Sequence, residues 1–195
     1  KEPFGSVTVF SEDGVAVASR RGEVLCVIDK NCEVVKKLPR DVSQCSMFSR
    51  GMAAFQNDLG KWGYIDVKGD TVIGAKFETA NLFINEDMAL VVDEKLVNDS
   101  SMSFSVIDKA GKELFNASTM TYRPINPYFV DGVLPVVKHS EKGDTIVCLD
   151  KAGKEVANPN ADNGAVKEAG YKDFSRTAGG LFLVINKNDK MGLVD

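Results

Sequence analysis

The sequence predicts an all-β fold made of five copies of one repeat, and three observations carry this prediction. First, a block with the pattern large apolar, variable, apolar, aliphatic, Asp occurs five times. Second, the aspartates of these blocks are 37, 42, 42 and 45 residues apart. A period of this size is typical of repeat proteins, in which each unit packs against its neighbours. Third, short apolar runs bounded by Gly, Asp and Asn favour strands over helices. The blocks are Leu25–Asp29, Trp62–Asp66, Phe104–Asp108, Ile146–Asp150 and Met191–Asp195.

Each repeat begins with an aromatic residue, followed by a turn and a short apolar strand. The aromatic residues are Phe10, Phe48, Phe83, Phe129 and Phe174. The block then supplies a second strand, in which the residues two and four places before Asp share one face. The position between those two is mostly small and is Gly63 in the second repeat, as expected where another backbone lies close.

A turn of the form D-x-x-G follows three of the blocks. The pairs are Asp66 and Gly69, Asp108 and Gly111, and Asp150 and Gly153. An Asp carboxylate accepts a hydrogen bond from the backbone two residues on, and Gly readily adopts the left-handed conformation of such a turn. In the first repeat Asp29 is present but Cys32 replaces Gly, so we expect Asn31 to be left-handed. An apolar strand then returns, which gives about three antiparallel strands in each repeat.

The second repeat resembles the bacterial WG repeat, also called KWG. The resemblance rests on Gly-Lys-Trp-Gly-Tyr-Ile-Asp at residues 60–66, followed by Gly69, Val72-Ile73 and Lys76-Phe77. It is strong over residues 48–91, and the other repeats keep the pattern without the Trp-Gly pair. The resemblance implies a β-rich repeat domain of a bacterial protein, often an exported one. It brings no catalytic residues.

We expect one β-repeat domain over residues 1–195, closed into a propeller-like ring. The predicted units are 10–47, 48–82, 83–128, 129–173 and 174–195, with residues 1–9 completing the last. Ser6 to Phe10 occupies the place that Thr79 to Phe83 takes in repeat two, so residues 7–9 should pair with residues 191–194. Such closure would remove exposed sheet edges. An open curved β-repeat array is the alternative, and a two-sheet sandwich is a third arrangement.

Composition excludes several function classes. The net charge is −4 and no Lys/Arg-rich run occurs, which disfavours nucleic-acid binding. No apolar stretch approaches the roughly 20 residues of a transmembrane helix. The sequence has no Cys/His spacing typical of zinc sites, and we expect no metal or cofactor. Cys32 and Cys45 lie 13 residues apart in connecting segments and are either a disulfide or two free thiols.

Most residues that invite a chemical role have a structural explanation. Trp62 occupies a place that is apolar in every repeat and is expected in the core. The repeated aspartates are expected to cap turns rather than to bind a ligand. His139 has no serine or thiol partner in a catalytic motif, and we expect it on the surface. The polar stretch 158–164 departs from a calcium loop, and no carboxylate pair for glycoside hydrolysis is singled out.

The segment 116–128 is the best candidate for recognition because it lengthens the interval between the third and fourth repeats. Tyr122, Arg123 and Tyr128 are residue types that anchor interfaces, although a connector with inward-packed aromatics is the simpler interpretation. We therefore expect a non-enzymatic binding module that recognises a protein, peptide or glycan. The chain starts at Lys1 rather than Met, which favours a removed leader and a location in the bacterial envelope or outside the cell. The alternatives are a carbohydrate hydrolase that uses loop carboxylates and an intracellular scaffold in the cytoplasm.

Overall fold

The computed structural model of the chain describes residues 3–84, 86–93, 103–130, 132–157, 173–176, 182–188 and 190–194. The secondary structure of these residues consists of β-strands, and they contain no helix that is long and apolar enough to cross a membrane. The strands form five sheets, each built from consecutive strands of the chain. The all-β repeat prediction is therefore confirmed.

The five sheets define the repeats as they are numbered below. The first contains β1 (Ser6–Val7), β2 (Val15–Ser19), β3 (Cys26–Asp29) and β4 (Val34–Lys37). The second contains β5 (Val42–Cys45), β6 (Met52–Asn57), β7 (Trp62–Asp66) and β8 (Thr71–Phe77). The third contains β9 (Thr79–Ala80), β10 (Met88–Val92), β11 (Ser103–Asp108) and β12 (Glu113–Ser118). The fourth contains β13 (Tyr122–Pro124), β14 (Leu134–Lys138), β15 (Thr145–Leu149) and β16 (Glu155–Val156). The fifth contains β17 (Asp173–Arg176), β18 (Phe182–Ile185) and β19 (Met191–Val194).

The strands belong to two compact units. Unit 1 comprises residues 1–94 and 105–113, and unit 2 comprises residues 95–104 and 114–195. In unit 1 the core lies between successive sheets. Val27 of the first sheet belongs to the same buried cluster as Ala53 and Ile65 of the second sheet. Tyr64 of the second sheet belongs to the next cluster, with Ile107.

The third strand of the second repeat contributes to two clusters because adjacent residues of a strand point to opposite faces. Tyr64 is fully buried, its ring lies 5.1 Å from that of Phe83 in an edge-to-face arrangement, and its hydroxyl donates to the carbonyl of Asn81 at 2.7 Å. This burial raises the pKa of the Tyr64 hydroxyl. Complete burial of a large apolar side chain stabilises a fold by about 1.5–3 kcal/mol. The repeated apolar positions thus join one repeat to the next.

Among the described residues of unit 2, several fully buried side chains lie on the paired strands β14 and β15. Leu134 and Leu149 face each other across this pair, and both are inaccessible to solvent. In the fifth sheet Ile185 of β18 is likewise buried, whereas Met191 and Leu193 of β19 are exposed. The repeated apolar positions are therefore not all core positions.

The complete sheets have four strands, one more than the predicted three. The additional strand is the first of each sheet and precedes the aromatic residue that was expected to open the repeat. For example, β5 lies within the predicted unit 10–47 but pairs with β6 of the second sheet. These first strands have only two to four residues, so they give a weak periodic signal.

Residues 6 and 7 form a strand of the first sheet. Ser6 pairs with Ser19 and Val7 with Ala18, so β1 is the outer strand of the first sheet. In the fifth sheet β19 pairs with β18. The predicted pairing of residues 7–9 with residues 191–194 stays a prediction. The closure of the repeats into a ring stays a prediction.

Candidate functional site

The repeated aspartates organise the turn between the third and fourth strands of their sheets. Asp66 Oδ1 accepts hydrogen bonds from the backbone N–H groups of Lys68 and Asp70, both at 2.9 Å. The Gly69 N–H donates to the Asp66 carbonyl at 2.8 Å, and Gly69 has φ +76°. The carboxylates of Asp29, Asp108 and Asp150 make the same pairs of bonds. Within the described residues, no group of three or more His, Cys, Asp or Glu is arranged to hold a metal ion.

The turn glycines have a second role that sequence reasoning missed. A Cβ on Gly153 would lie 2.7 Å from the Phe115 ring, and one on Gly111 would lie 3.2 Å from the Ile73 side chain. A Cβ on Gly69 would likewise lie 3.2 Å from Val27 Cγ2. Each glycine thus packs on a side chain of the preceding repeat. No single-repeat pattern reveals a contact between residues almost 40 positions apart.

The first repeat corrects one expectation about these turns. Cys32 itself, rather than Asn31, adopts the left-handed conformation, with φ +59°. Its N–H donates to the Asp29 carbonyl at 2.9 Å, just as Gly69 does in repeat two. Cys32 is exposed, so its side chain extends into solvent and the turn keeps its geometry without glycine.

The Trp-Gly pair occupies β7, where the sheet is irregular. A Cβ on Gly63 would lie 2.5 Å from the Ile73 carbonyl oxygen and 2.8 Å from the Ala75 nitrogen. The pairing of β7 with β8 shifts register at this point, which brings the two backbones together. Trp62 is only half-buried and packs against the edge of the cluster that contains Tyr64. Trp62 was expected in the core but is only partly covered. The aromatic residue that is fully buried in this cluster is Tyr64.

The three predicted recognition residues do not form one surface. Tyr122 and Arg123 are neighbours on β13 and so point to opposite faces of the fourth sheet. The Tyr122 hydroxyl donates to Glu155 Oε1 at 2.5 Å, as does the Lys138 ammonium. The bonds from Lys138 and Tyr122 lower the pKa of Glu155, and the bond to Glu155 raises the pKa of Tyr122. Tyr128 lies half-buried in the connection between β13 and β14.

The four thiols are free, and the histidine lies beside a carboxylate. All four cysteines are free, so Cys32 and Cys45 are two thiols rather than a disulfide. Burial raises the pKa of the Cys45 thiol to about 12, and it also raises the pKa of Cys26. A protonated thiol is a poor nucleophile. His139 Nδ1 lies 2.7 Å from Asp144 Oδ1, and both side chains are partly exposed. The stretch 158–164 and Asp195 lie outside the described residues.

The loops that join the first and second strands of repeats one to three form a pocket of about 400 Å³ in unit 1. We refer to residues 8–14, 46–51, 81–84 and 86–87 as the first loops and to the cavity as the loop pocket. Its lining comes from all three loops: Val9, Phe10, Ser11, Glu12, Met47, Phe48, Ser49, Arg50 and Ile84. The loop pocket was not identified from the sequence.

Eight of these residues are four pairs of repeat equivalents, each separated by 38 positions. The pairs are Val9 with Met47, Phe10 with Phe48, Ser11 with Ser49, and Glu12 with Arg50. Phe10 is 37% exposed, whereas its equivalents Phe48, Phe83 and Phe129 are at most 4% exposed. Beside it, Val9 is 69% and Met47 is 44% exposed. The loop pocket therefore has a buried aromatic floor and an exposed apolar rim.

The polar groups of the loop pocket differ between the two repeats. Ser49 Oγ donates a hydrogen bond to the carbonyl of Phe83 at 2.6 Å, which connects the first loop of repeat two to the first loop of repeat three. The equivalent Ser11 Oγ is buried but has no hydrogen-bond partner. Arg50 Nε donates to Asp87 Oδ1 at 2.9 Å, and Asp87 also pairs with Lys109 at 2.9 Å. The bonds from Lys109 and Arg50 lower the pKa of Asp87, so its carboxylate stays ionised.

Part of the chain matches a known family at the level of sequence. Residues 62–96 match the family model of the WG containing repeat. This segment begins at Trp62 on β7 and extends past β10 of the third repeat. No curated protein matches the chain significantly. The WG repeat thus accounts for parts of the second and third repeats.

One solved structure shares the fold at low sequence identity. The chain is similar to the uncharacterized protein lmo1340 from Listeria monocytogenes EGD-e, with a TM-score of 0.51 and 13% identity, over 100% of this chain and 68% of that chain. It also matches a chain in the complex of KlAtg21 with the coiled-coil of AgAtg16, with a TM-score of 0.48 and 11% identity. That match covers 98% of this chain and 66% of the other. The first similarity supports the β-repeat fold alone.

Proposed function

We propose that the chain is a non-enzymatic binding module and that the loop pocket binds a peptide segment of a partner protein. The observation that carries this proposal is the exposure of Val9, Phe10 and Met47 around a pocket with a buried floor. Single exposed apolar residues are ordinary, but a contiguous apolar patch with polar neighbours marks an interaction site. Burial of apolar surface yields about 25 cal/mol per Å², so a partner that covers this rim gains affinity.

The chemistry of the rim favours a peptide over a glycan. Met47 is flexible and polarisable, and methionine adapts to apolar side chains of different shape. A glycan presents many hydroxyl groups and needs several convergent polar partners. The Ser49 hydroxyl is already bonded to Phe83, which leaves Ser11 as the one free hydroxyl among the residues that line the loop pocket.

The composition of the loop pocket also supports binding without turnover. A serine nucleophile needs an adjacent base, and no histidine lines the loop pocket. Glycoside hydrolysis needs two carboxylates across the substrate, and Glu12 is the single carboxylate among the lining residues. These features make the hydrolase alternative the weaker one for this pocket. The predicted location in the bacterial envelope or outside the cell stays a prediction, as does the alternative of an intracellular scaffold.

A matched pair of charge substitutions tests the proposal. A random-peptide display library is selected on the wild-type protein, and the dissociation constant of an enriched peptide is measured by fluorescence polarisation. Met47→Glu should weaken binding at least about tenfold, because it places a charge in an apolar contact. Leu59→Glu is the control, since Leu59 is 79% exposed and lies outside the loop pocket.

Two results would contradict the proposal. Equal affinity of the two variants for every enriched peptide would place the binding surface elsewhere. Cleavage of an enriched peptide, detected by mass spectrometry and absent from the Met47→Glu variant, would identify an enzyme. Thermal unfolding of both variants checks that they remain folded.

A further inference from the structure

Arg50 occupies a backbone position that disfavours arginine. Ser49 and Met52 exchange two backbone hydrogen bonds, of 2.9 and 3.1 Å, around the two-residue turn Arg50-Gly51. Both turn residues have positive φ, +51° and +79°. Such turns prefer Asn-Gly, and a left-handed conformation costs a residue other than Gly roughly 1–2 kcal/mol. Arginine at this position therefore carries a conformational cost that Asn reduces.

The guanidinium of Arg50 is only partly hydrogen-bonded to the described residues. Its Nε donates to Asp87, and Asp87 is shared with Lys109, so two cations face one carboxylate. Among the described residues, the two Nη groups have no hydrogen-bond partner. A guanidinium presents paired N–H donors in a fixed geometry that matches a carboxylate. The loop pocket thus has local positive charge beside its apolar rim.

A second polar group lies unused in the same pocket. Ser11 Oγ is buried and unpaired, whereas its repeat equivalent Ser49 is bonded to Phe83. A buried hydroxyl without a partner costs free energy that a ligand acceptor restores. Ser11 and Arg50 come from successive first loops and both line the loop pocket.

We propose that the loop pocket binds the C-terminal residue of a peptide, with the terminal carboxylate on Arg50 and Ser11 and an apolar side chain against Phe10 and Met47. This inference rests on the proposed function and names its ligand class. A C-terminal residue carries a carboxylate and a side chain on the same Cα, so both fit one small cavity. The volume of about 400 Å³ lies near the lower end of the roughly 300–1,000 Å³ of small-ligand sites. Capture of a terminal carboxylate is a known mode of peptide recognition.

Glu12 makes the charge assignment testable. It lines the loop pocket and is exposed, so its repulsion of a carboxylate is weakened by solvent and salt. Removal of this charge by Glu12→Gln should therefore tighten binding of a peptide acid. A pocket that bound the amino group of its ligand would instead lose affinity after the same substitution.

Three synthetic peptides test the inference by fluorescence polarisation at low salt. The first is acetyl-Gly-Ser-Ala-Leu with a free carboxylate, and the second is the same peptide with a C-terminal amide. The third, acetyl-Gly-Ser-Leu-Asp-amide, carries its carboxylate on a side chain next to leucine. The free acid should bind at least about tenfold more tightly than either amide, since charge-assisted hydrogen bonds exceed neutral ones in strength.

Arg50→Asn is the decisive variant because it suits the turn and removes the guanidinium. It should unfold at a temperature no lower than the wild type and should lose most of the preference for the acid over the amide. Arg50→Lys should keep part of the preference for the acid, because the charge remains without the paired donors. Ser11→Ala should weaken binding of the free acid more than binding of the amide.

The outcomes separate this inference from the proposed function. Equal binding of acid and amide by the wild type, with loss of both in Met47→Glu, would overturn the carboxylate inference alone. Tighter binding of the aspartyl amide would replace the chain terminus with an internal acidic residue as the ligand. If none of these peptides binds and no library peptide is enriched, both proposals are wrong.

Discussion

The Asp turns and the first loops belong to the same repeats but are built in different ways. At each Asp turn one carboxylate oxygen accepts two backbone hydrogen bonds, as Asp66 does from Lys68 and Asp70. Three of these turns use glycine, at Gly69, Gly111 and Gly153. The first loops use different residues from repeat to repeat and leave Ser11 Oγ unpaired. The turns are therefore determined by local bonding, whereas the first loops have polar and apolar groups available for a partner.

Within one repeat, the Asp turns therefore maintain the architecture, whereas the first loops are available for recognition. The positions that recur from copy to copy are those that close the turn or pack against the next sheet. The positions that diverge, Glu12 against Arg50 for example, lie around the loop pocket. In a repeat protein the scaffold is common to all units, and specificity resides in the residues that vary on one face. The predictions below change one side of this comparison at a time.

The largest effect should come from Gly63. Gly63→Ala places a Cβ against the backbone of β8, only 2.5 Å from the Ile73 oxygen, so the strand has to move. We expect a loss of about 3 kcal/mol in the free energy of unfolding, the upper part of the range for overpacking. The control is Gly192→Ala, which changes the equivalent residue of repeat five, where a Cβ meets no described residue within 4 Å. Similar urea denaturation midpoints for the two variants would contradict the close approach of β7 and β8.

A smaller loss is expected at the turn glycines. Gly153→Ala should destabilise by about 2 kcal/mol, because alanine is strained at φ +76° and its Cβ contacts the Phe115 ring. Gly22→Ala isolates the backbone part of this loss, since Gly22 has φ +77° and none of the described residues lies within 4 Å of its Cβ. We expect Gly22→Ala to cost about 1 kcal/mol. Equal losses of stability for Gly153→Ala and Gly22→Ala in calorimetry would mean that the contact with the preceding repeat contributes nothing to the effect of Gly153→Ala.

The smallest of these losses should come from the Asp carboxylate. Asp66→Ala removes the acceptor of two backbone hydrogen bonds and should cost about 1 kcal/mol, as the loss of a helix-capping side chain does. Asp66→Asn should preserve stability, because Asn57 Oδ1 already accepts the corresponding bonds from Leu59 and Lys61. Asp70→Ala removes an exposed ion pair with Lys36 and should change stability less than Asp66→Ala does. A larger loss for Asp70→Ala than for Asp66→Ala, measured by urea denaturation, would refute the turn-capping role.

The sequence was sufficient to predict the strands that carry the repeated block and the turns that follow it. These elements depend on local chemistry, such as the spacing of Asp66 and Gly69. The first strands were assigned to the wrong repeats because β1 and β9 have two residues each and no apolar alternation. The left-handed conformation of Cys32 was not predicted, because the general preference of Asn for this conformation was given more weight than the position of the residue in the turn.

The loop pocket depends on contacts between repeats, which a residue-by-residue search does not show. Its signal in the sequence is the set of equivalents 38 positions apart, especially the substitution of Arg50 for Glu12. A comparison of first loops across repeats would have found this divergence. Tyr122 and Arg123 were predicted from residue type alone, and the hydroxyl of Tyr122 is bonded to Glu155.

Nuclear magnetic resonance mapping of a bound peptide tests the central claim most directly. We expect acetyl-Gly-Ser-Ala-Leu to perturb the backbone amide signals of residues 8–14, 46–51 and 81–84. The Asp turns at residues 29–33, 66–70 and 108–112 should remain unchanged. Perturbation centred on those turns or on the surface around Glu155, with unchanged signals in the first loops, would contradict the division between architecture and recognition.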